Sequence, residues 1–485
     1  MDKVLRVMPV MGLLLIMFST AYLGPLITSL IYQDGSLAAF GLAMTLNLGS
    51  GVALWLATRR FQSVLRPTDG YLLVVLAWTG TAASATVPLL LSVEGLSFTD
   101  AYFETMSGLT TTGATVLTQL DTLPKSVNLW RHLLNWLGGM GIIVLAVAIL
   151  PLLGIGGRQL YRAETPGPIK EMALAPRITE AAKRLWYVYA GLTATCIVAL
   201  RLAGMTWFDA ICHAFAALSL GGFSTHDESV GFFDSVLIEA VLMVFMLLAA
   251  INYATHFLAW RDKSLKSYRR DPEASAVLGL VLTSCIAIGW FLWGTGTYLD
   301  FWTALRHASF NLVSIATDCG FVSVDYGQWP VFAPLWMLFL SCVTASSGST
   351  GGGMKMIRFL IVCRQSLREM ITLLHPYAMH PLKIGAMKVS DNVIFSVLGF
   401  ITLYTLSIVI LTLLHVVSGL DFVSSFSAII ACINNAGPGL NEVGPATNFG
   451  GLTDVQTWIC TTAMLLGRLE LFTLLVLFTR AFWRT

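Results

Sequence analysis

The stretch Thr110-Thr111-Thr112-Gly113 is one of four short segments that end in glycine, each after a short amphipathic segment and before a long apolar one. The other three are Ser219-Leu220-Gly221-Gly222, Thr317-Asp318-Cys319-Gly320 and Asn434-Asn435-Ala436-Gly437. By subtraction, the closing glycines are 109, 98 and 117 residues apart. A fourfold repeat of helix, half-helix ending in glycine, and helix would let one chain surround a single ion path with four carbonyl-lined loops.

The composition indicates a chain that crosses a membrane many times. Of its 485 residues, 56% are hydrophobic and 12% are charged, whereas a soluble domain carries about 25% charged residues. Lys3 and Arg6 precede an apolar run to about Ile31 that is too long for a cleavable signal peptide. The eight cysteines are dispersed, so neither a disulfide framework nor a zinc site is expected. We predict an all-α polytopic membrane protein.

Ten apolar runs are long enough to cross about 30 Å of hydrocarbon. They lie near residues 4–31, 37–58, 71–93, 129–153, 185–204, 233–260, 274–297, 330–362, 392–418 and 456–482. Shorter segments are predicted to be re-entrant half-helices, at 98–110, 207–219, 303–317 and 422–434. Most of them begin near residues that cap helix N-termini, which are Thr99, Asp100, Asp209, Asp300, Thr303 and Asp421.

Basic residues predict the orientation of the chain in the membrane. Twenty-three of the 29 lysines and arginines fall in six clusters, at 3–6, 59–66, 158–184, 261–270, 358–388 and 480–484. These clusters occupy alternate connections, so we predict that they and both termini are cytoplasmic. The half-helices then all enter from the outer face. The predicted units are an N-terminal helix pair at 1–70 and four pore repeats at 71–153, 154–260, 261–368 and 369–485.

The four glycine-ended segments are predicted to form a potassium selectivity filter. Rings of backbone carbonyls replace the hydration shell of potassium, and glycine tolerates the backbone angles that aim successive carbonyls inward. The 16 predicted filter residues are those of the four segments quoted above, with Gly113, Gly222, Gly320 and Gly437 as the principal positions. Glycine also commonly ends helices, but four glycines in register on one predicted face favour a filter.

The segment 341–355 interrupts a span that is otherwise apolar. It contains Gly348, Gly351, Gly352 and Gly353. Non-helical backbone at membrane depth persists only beside protein or a water-filled path, which favours a flexible intramembrane gate over a small-residue packing patch. A nucleotide-binding phosphate loop is disfavoured, because Met354 stands where that motif requires lysine.

Several charged or polar residues lie within predicted spans or half-helices. Arg468 is near the middle of the last span, where a charge is costly and is usually paired or functional. It does not face Glu470, which is two positions away. Lys355 is predicted either to act like Arg468 or to extend to the cytoplasm, and Asp318 either to attract cations or to bond nearby amides. Glu104, His213 and Asn311 are interpreted as packing and hydrogen-bonding residues.

Three of these features together resemble the Trk/Ktr/HKT superfamily of potassium transporters. They are Thr-Thr-Thr-Gly at 110–113, the glycine-rich stretch 348–355 and Arg468. The resemblance implies that Arg468 faces the ion path, as an electrostatic barrier or as a donor to the carbonyls of 348–355. An inter-helix salt bridge is the alternative for Arg468. The resemblance also implies a homodimer in the bacterial inner membrane and a cytoplasmic TrkA-type ring that binds NAD(H) and ATP/ADP.

Two other functions are alternatives to a potassium-selective channel-like path. A proton- or sodium-coupled potassium symporter would place ionisable residues along the path, and few are present. A membrane enzyme would need clustered catalytic side chains at one depth, and the eight histidines are dispersed. The chain itself is expected to bind no cofactor, with potassium as the permeant ion.

Overall fold

The computed structural model describes residues 2–61, 65–141, 178–377, 380–385 and 387–484. Its α-helices are Asp2–Phe18, Leu23–Tyr32, Leu37–Thr58, Pro67–Ser92, Phe98–Leu109, Lys125–Gly139, Ile178–Leu202, Trp207–Ser219, Val236–Ala249, Tyr253–Arg261, Lys266–Arg270, Pro272–Gly294, Phe301–Ala316, Phe332–Ser341, Met356–Leu374, Asp391–Val417, Phe422–Asn434, Asp454–Arg468, Phe472–Leu475 and Arg480–Arg484. Short 3-10 turns are Ser19–Tyr22, Arg59–Phe61, Ser229–Phe233, Tyr326–Gln328, Asn441–Val443, Phe449–Gly451 and Val476–Phe478. Strands Lys383–Ile384 and Met387–Lys388 form a small antiparallel hairpin.

Eight of the ten predicted crossings have a counterpart among the described helices. Six are long, continuous apolar helices, and two are helix pairs bent at a short break, by 95° and 107°. The ninth, 129–153, begins as Lys125–Gly139, and its second half lies outside the described residues, as do residues 154–177 of the predicted basic connection. The tenth, 330–362, consists of two helices separated by the glycine-rich segment.

The predicted crossings at 233–260 and 456–482 are therefore broken helix pairs rather than single continuous helices. The first breaks between Ala249 and Tyr253, where the Asn252 side chain accepts a hydrogen bond from Ala254 N and starts a new helix. The second breaks after Arg468, because Glu470 and Leu471 have φ angles of 53° and 47°. Left-handed residues cannot continue the ladder of an α-helix.

The four half-helices agree with the prediction to within two residues at each end. They are Phe98–Leu109, Trp207–Ser219, Phe301–Ala316 and Phe422–Asn434, and we call them half-helices 1 to 4. Beyond their first turns, most of their residues are buried. Each therefore lies inside the bundle and delivers its C-terminal end to the molecular interior.

The predicted caps are corrected at two of the four starts. Half-helices 3 and 4 are capped by Asp300 and Asp421, as predicted. Half-helices 1 and 2 are capped by Ser97 and Thr206, whose side chains accept from the backbone of Asp100 and Asp209. The carboxylates of Asp100 and Asp209 do not cap the helices; they accept hydrogen bonds from the capping hydroxyls. Both arrangements satisfy N–H groups that have no partner inside the helix.

Close glycine contacts let the spans reach the ends of the half-helices. A Cβ atom on Gly138 would lie 1.9 Å from Leu109 O, and one on Gly467 would lie 1.9 Å from Ile433 O. Such backbone approach is possible only without a side chain. The first and last units therefore press a helix directly against the end of their half-helix.

Candidate ion pathway

The four glycine-ended segments have left-handed residues at the same two positions. The second residue of each is left-handed, with φ angles of 57°, 56°, 65° and 57° at Thr111, Leu220, Asp318 and Asn435. The closing glycine of each is also left-handed, with φ angles of 78°, 61°, 91° and 90° in chain order. Non-glycine residues adopt this region at a cost and cluster there at functional sites. Four unlike sequences thus take one shape.

The segments also contact one another in a closed ring. A Cβ atom on Gly113 would lie 2.2 Å from Gly221 O, and one on Gly222 would lie 1.9 Å from Cys319 O. A Cβ atom on Gly320 would lie 2.6 Å from Ala436 O, and one on Gly437 would lie 2.9 Å from Thr112 O. Each glycine therefore meets the carbonyl of the third residue in the next segment, and the fourth segment returns to the first. We call this arrangement the glycine ring.

The predicted filter residues are thus brought together, and they are almost entirely buried. A pocket, which we call the mouth, opens on the glycine side of the ring. It is lined by Gly113, Gly222, Gly320, Thr115, Leu120, Arg131, Ser224, His226, Asp227 and Pro438, among others. The half-helices end on the opposite side, so their C-terminal carbonyls place partial negative charge behind the ring.

Polar side chains on all four half-helices fix the chain where it leaves the ring. The Glu104 carboxylate accepts from Val116 N at 3.0 Å, and Asn311 Oδ1 accepts from Ser323 N at 3.1 Å. The corresponding contacts are His213 Nε2 with Ser224 Oγ at 3.1 Å and Leu440 N with Ser427 Oγ at 2.9 Å. The interpretation of Glu104, His213 and Asn311 as hydrogen-bonding residues is confirmed.

Arg131 connects half-helix 1 to the stretch that follows Gly222. This contact was not predicted from the sequence. Its guanidinium donates to Glu104 Oε1 at 2.7 Å and to Ser224 O at 3.2 Å. Both side chains of the Arg131–Glu104 pair are buried, with exposed fractions of 1% and 0%. A charge inside the predicted span 129–153 was the signal that could have revealed it.

Glu104→Gln is expected to lower the unfolding midpoint of the purified protein by several degrees. Removing one charge of a buried pair typically costs about 3–5 kcal/mol, because the other charge is left uncompensated. Unfolding can be followed by thiol-reactive fluorescence in detergent. Glu94→Gln is the control, since Glu94 is an exposed carboxylate four residues before half-helix 1. Equal midpoints for the two variants would contradict a bracing role for the Arg131–Glu104 pair.

At the mouth, a histidine lies between two aspartates. His226 Nδ1 hydrogen-bonds Asp121 Oδ1, and its Nε2 lies 3.6 Å from Asp209 Oδ1. Burial would lower the pKa of His226, but hydrogen bonds and charges from Asp209 and Asp121 outweigh burial and raise that pKa. Burial would raise the pKa of Asp121, but the hydrogen bond to His226 outweighs burial and holds that pKa below its usual range. The cluster ties the two stretches that follow Gly113 and Gly222.

The glycine-rich segment lies directly behind the ring, on the half-helix side. A Cβ atom on Gly352 would lie 1.7 Å from Asn434 O, and one on Gly351 would lie 3.2 Å from Thr317 O. Thr350 Oγ1 donates to Leu218 O at 3.0 Å. The segment therefore contacts the ends of half-helices 2, 3 and 4, and its glycines permit that approach.

Arg468 connects this segment to the first unit. Its Nη1 donates to Thr350 O at 3.0 Å and to Thr111 Oγ1 at 3.1 Å. Its Nη2 donates to the carbonyls of Gly138 and Gly139. Arg468 does not bond Glu470 through these contacts; Glu470 pairs with Arg358 at 2.7 Å. The guanidinium thus bridges a ring residue, the glycine-rich segment and the first unit.

Lys355 and Asp318 lie on the same side of the ring. Lys355 is 4% exposed and its Nζ donates to Gly351 O. The interpretation that this side chain extends to the cytoplasm is therefore wrong. Asp318 is fully buried, and its Oδ2 would lie 3.4 Å from a Cβ atom on Gly351. The carboxylate thus packs against the glycine-rich segment rather than toward the mouth.

Comparison with known proteins gives matches along almost the whole chain. The family model described as "TrkH: Cation transport protein" matches residues 38–484. The chain is 45% identical over 483 residues to Trk system potassium uptake protein TrkH of Halomonas elongata, covering 99% of both chains. It is 44% identical over 476 residues to the Escherichia coli K12 protein of the same name, covering 98% of both. It is 40% identical to Trk system potassium uptake protein TrkG of Escherichia coli K12, covering 98% of this chain and 97% of that protein.

One solved structure is similar in fold. The crystal structure of the potassium transporter TrkH from Vibrio parahaemolyticus covers 99% of both chains with a TM-score of 0.89 and 42% identity. This match confirms the predicted all-helical polytopic fold. The relatives are named as uptake or transport proteins, which agrees with the prediction that the chain is not an enzyme.

Proposed function

Because the chain belongs to the TrkH family of cation transport proteins, as its motifs predicted, we propose that it carries potassium ions into the bacterial cell across the inner membrane. Relatives 44–45% identical over almost their whole length are named as potassium uptake proteins. The observation that carries the proposal is the glycine ring, in which all four closing glycines abut a neighbouring carbonyl. The ring acts as the selectivity filter.

The ring binds potassium through neutral oxygens. Carbonyls of the 16 filter residues replace water around the ion, and the half-helix ends hold it by their partial negative charge. Braces at Glu104, His213, Asn311 and Ser427 keep the carbonyls in position against thermal motion. The four segments differ in side chains, so discrimination against sodium is expected to be weaker than in a symmetric channel.

The glycine-rich segment closes the path behind the filter. Its contacts with the ends of three half-helices and with Arg468 place backbone directly behind the ring. Opening requires this segment, with Gly348, Gly351, Gly352, Gly353 and Lys355, to move aside, which breaks the bonds of Arg468. We therefore assign the arrangement described here to a closed gate.

The basic connections face the cytoplasm, in accord with the positive-inside rule, and both termini lie on that side. A TrkA-type ring that binds NAD(H) and ATP/ADP docks there and moves the gate. Two copies of the chain form a homodimer. Size measurement in detergent and co-purification with the ring protein test these two statements.

Cation flux through the purified protein alone in liposomes tests the function. We expect potassium to move down its own gradient faster than sodium, without parallel proton movement. Matched liposomes without protein and liposomes with reversed gradients are the controls. Flux that requires a proton or sodium gradient would favour a coupled symporter, and absence of potassium preference would contradict the filter.

A further inference from the structure

A carboxylate outside the ion path holds the glycine-rich segment from the side. Glu273 Oε2 accepts a hydrogen bond from Ser347 N at 2.8 Å. Glu273 lies in the first turn of Pro272–Gly294, a helix capped by Asp271, whose Oδ1 accepts from Glu273 N at 3.0 Å. The position of Ser347 thus depends on how this helix begins.

Residues 346–348 also hydrogen-bond the helix break between Ala249 and Tyr253. Ser346 N donates to Ala250 O at 3.0 Å, and Tyr253 N donates to Gly348 O at 3.1 Å. Thr255, two residues into the new helix, donates to Asp271 Oδ2 at 2.7 Å. The bonds therefore form a closed circuit from residues 346–348 through the break to Asp271 and back through Glu273.

This circuit is attached to an exposed basic connection. Residues 261–271 carry five cations, namely Arg261, Lys263, Lys266, Arg269 and Arg270, and all five are exposed. The connection packs on the circuit through Tyr268, whose hydroxyl hydrogen-bonds His256 Nδ1 at 2.8 Å. It ends at Asp271, the residue that caps the helix of Glu273 and bonds Thr255. A displacement of the connection would therefore move the carboxylate that holds Ser347.

We propose that Glu273 is a positioning residue that couples the cytoplasmic connection 261–271 to the gate, an inference that rests on the proposed gating function of the glycine-rich segment. In the closed arrangement its carboxylate holds Ser347 N. A displacement of the connection 261–271 withdraws the Glu273 carboxylate and frees residues 346–348. The free energy needed to move the glycine-rich segment from behind the ring is then lower. No contact between Glu273 and the ion is involved.

Glu273→Ala is expected to raise partner-free potassium flux in liposomes at least threefold, with the preference for potassium over sodium unchanged. Glu273→Gln keeps an acceptor oxygen for Ser347 N, so it should restore flux close to that of the unmodified chain. Asp262→Ala is the control, since Asp262 is an exposed acid in the same connection. A purely structural role would lower the unfolding midpoint and leave the flux per folded protein unchanged.

Thr255→Val and Arg468→Ala separate the coupling by Glu273 from the gate itself. If Glu273→Ala does not fold, Thr255→Val, which cuts the circuit at Asp271, must raise flux for the inference to stand. If Arg468→Ala raises flux and neither circuit variant does, the coupling by Glu273 is wrong while the gate remains. If the unmodified chain and Arg468→Ala both fail to pass potassium, the proposed function and this inference fall together.

Discussion

Replacing Arg468 with alanine is expected to raise potassium flux through the purified protein roughly tenfold to a hundredfold. The guanidinium donates to Thr350 O, Thr111 Oγ1 and two carbonyls of the first unit. Hydrogen bonds from a charged group contribute about 1.5–3 kcal/mol each, and a change of about 1.4 kcal/mol shifts an equilibrium tenfold. Losing even one net bond of this kind would therefore favour the open gate substantially.

Arg468→Lys separates the two roles that this residue could have. Lysine keeps a positive charge near the ion path but lacks the planar guanidinium group that donates to several acceptors at once. If the charge alone limits flux, the lysine variant stays close to the unmodified chain. If the hydrogen bonds hold the segment, its flux rises toward that of Arg468→Ala. Flux that falls in Arg468→Ala, with an unchanged unfolding midpoint, would contradict both roles.

The half-helices were predictable because their signals are local. Short amphipathic length, hydroxyl or acidic residues at the start and glycine at the end lie within one stretch of sequence, and the bounds agree with the structure to within two residues. The exact capping residue was less predictable at half-helices 1 and 2. There a hydroxyl and an acid three residues later are both good caps, and the structure uses the hydroxyl.

The helix breaks and the long-range contacts of Arg131 and Arg468 could not be predicted in the same way. Residues 469–471 are Leu-Glu-Leu, with neither glycine nor proline, so the left-handed angles of Glu470 and Leu471 have no local signal. Arg131 contacts Ser224, and Arg468 contacts Thr111, across 93 and 357 residues of sequence. Such contacts join residues far apart in the sequence, so no local stretch encodes them.

Gly113→Ser is expected to reduce the preference for potassium over sodium at least tenfold. A Cβ atom at this position would lie 2.2 Å from Gly221 O, and the atom it meets is backbone that cannot rotate away. Gly113 also has a φ of 78°, where a side chain costs about 1–3 kcal/mol of strain. The variant must therefore displace the carbonyl of the neighbouring segment or change its own backbone.

Gly35→Ser is the control that separates the effect of backbone strain from the effect of disrupting the glycine ring. Gly35 has a φ of 83°, close to that of Gly113, but a Cβ atom there would meet nothing within 4 Å. Both variants carry the same left-handed penalty, but only Gly113→Ser adds a clash with the next segment, so only that variant should change ion preference. Selectivity is measured as the ratio of potassium to sodium flux in the same liposomes.

Because Gly221 O belongs to the second segment and Gly113 to the first, a selective defect in Gly113→Ser would mean that discrimination depends on the fit between segments. An unchanged ratio, with normal folding, would remove Gly113 from the filter and leave it as the end of half-helix 1.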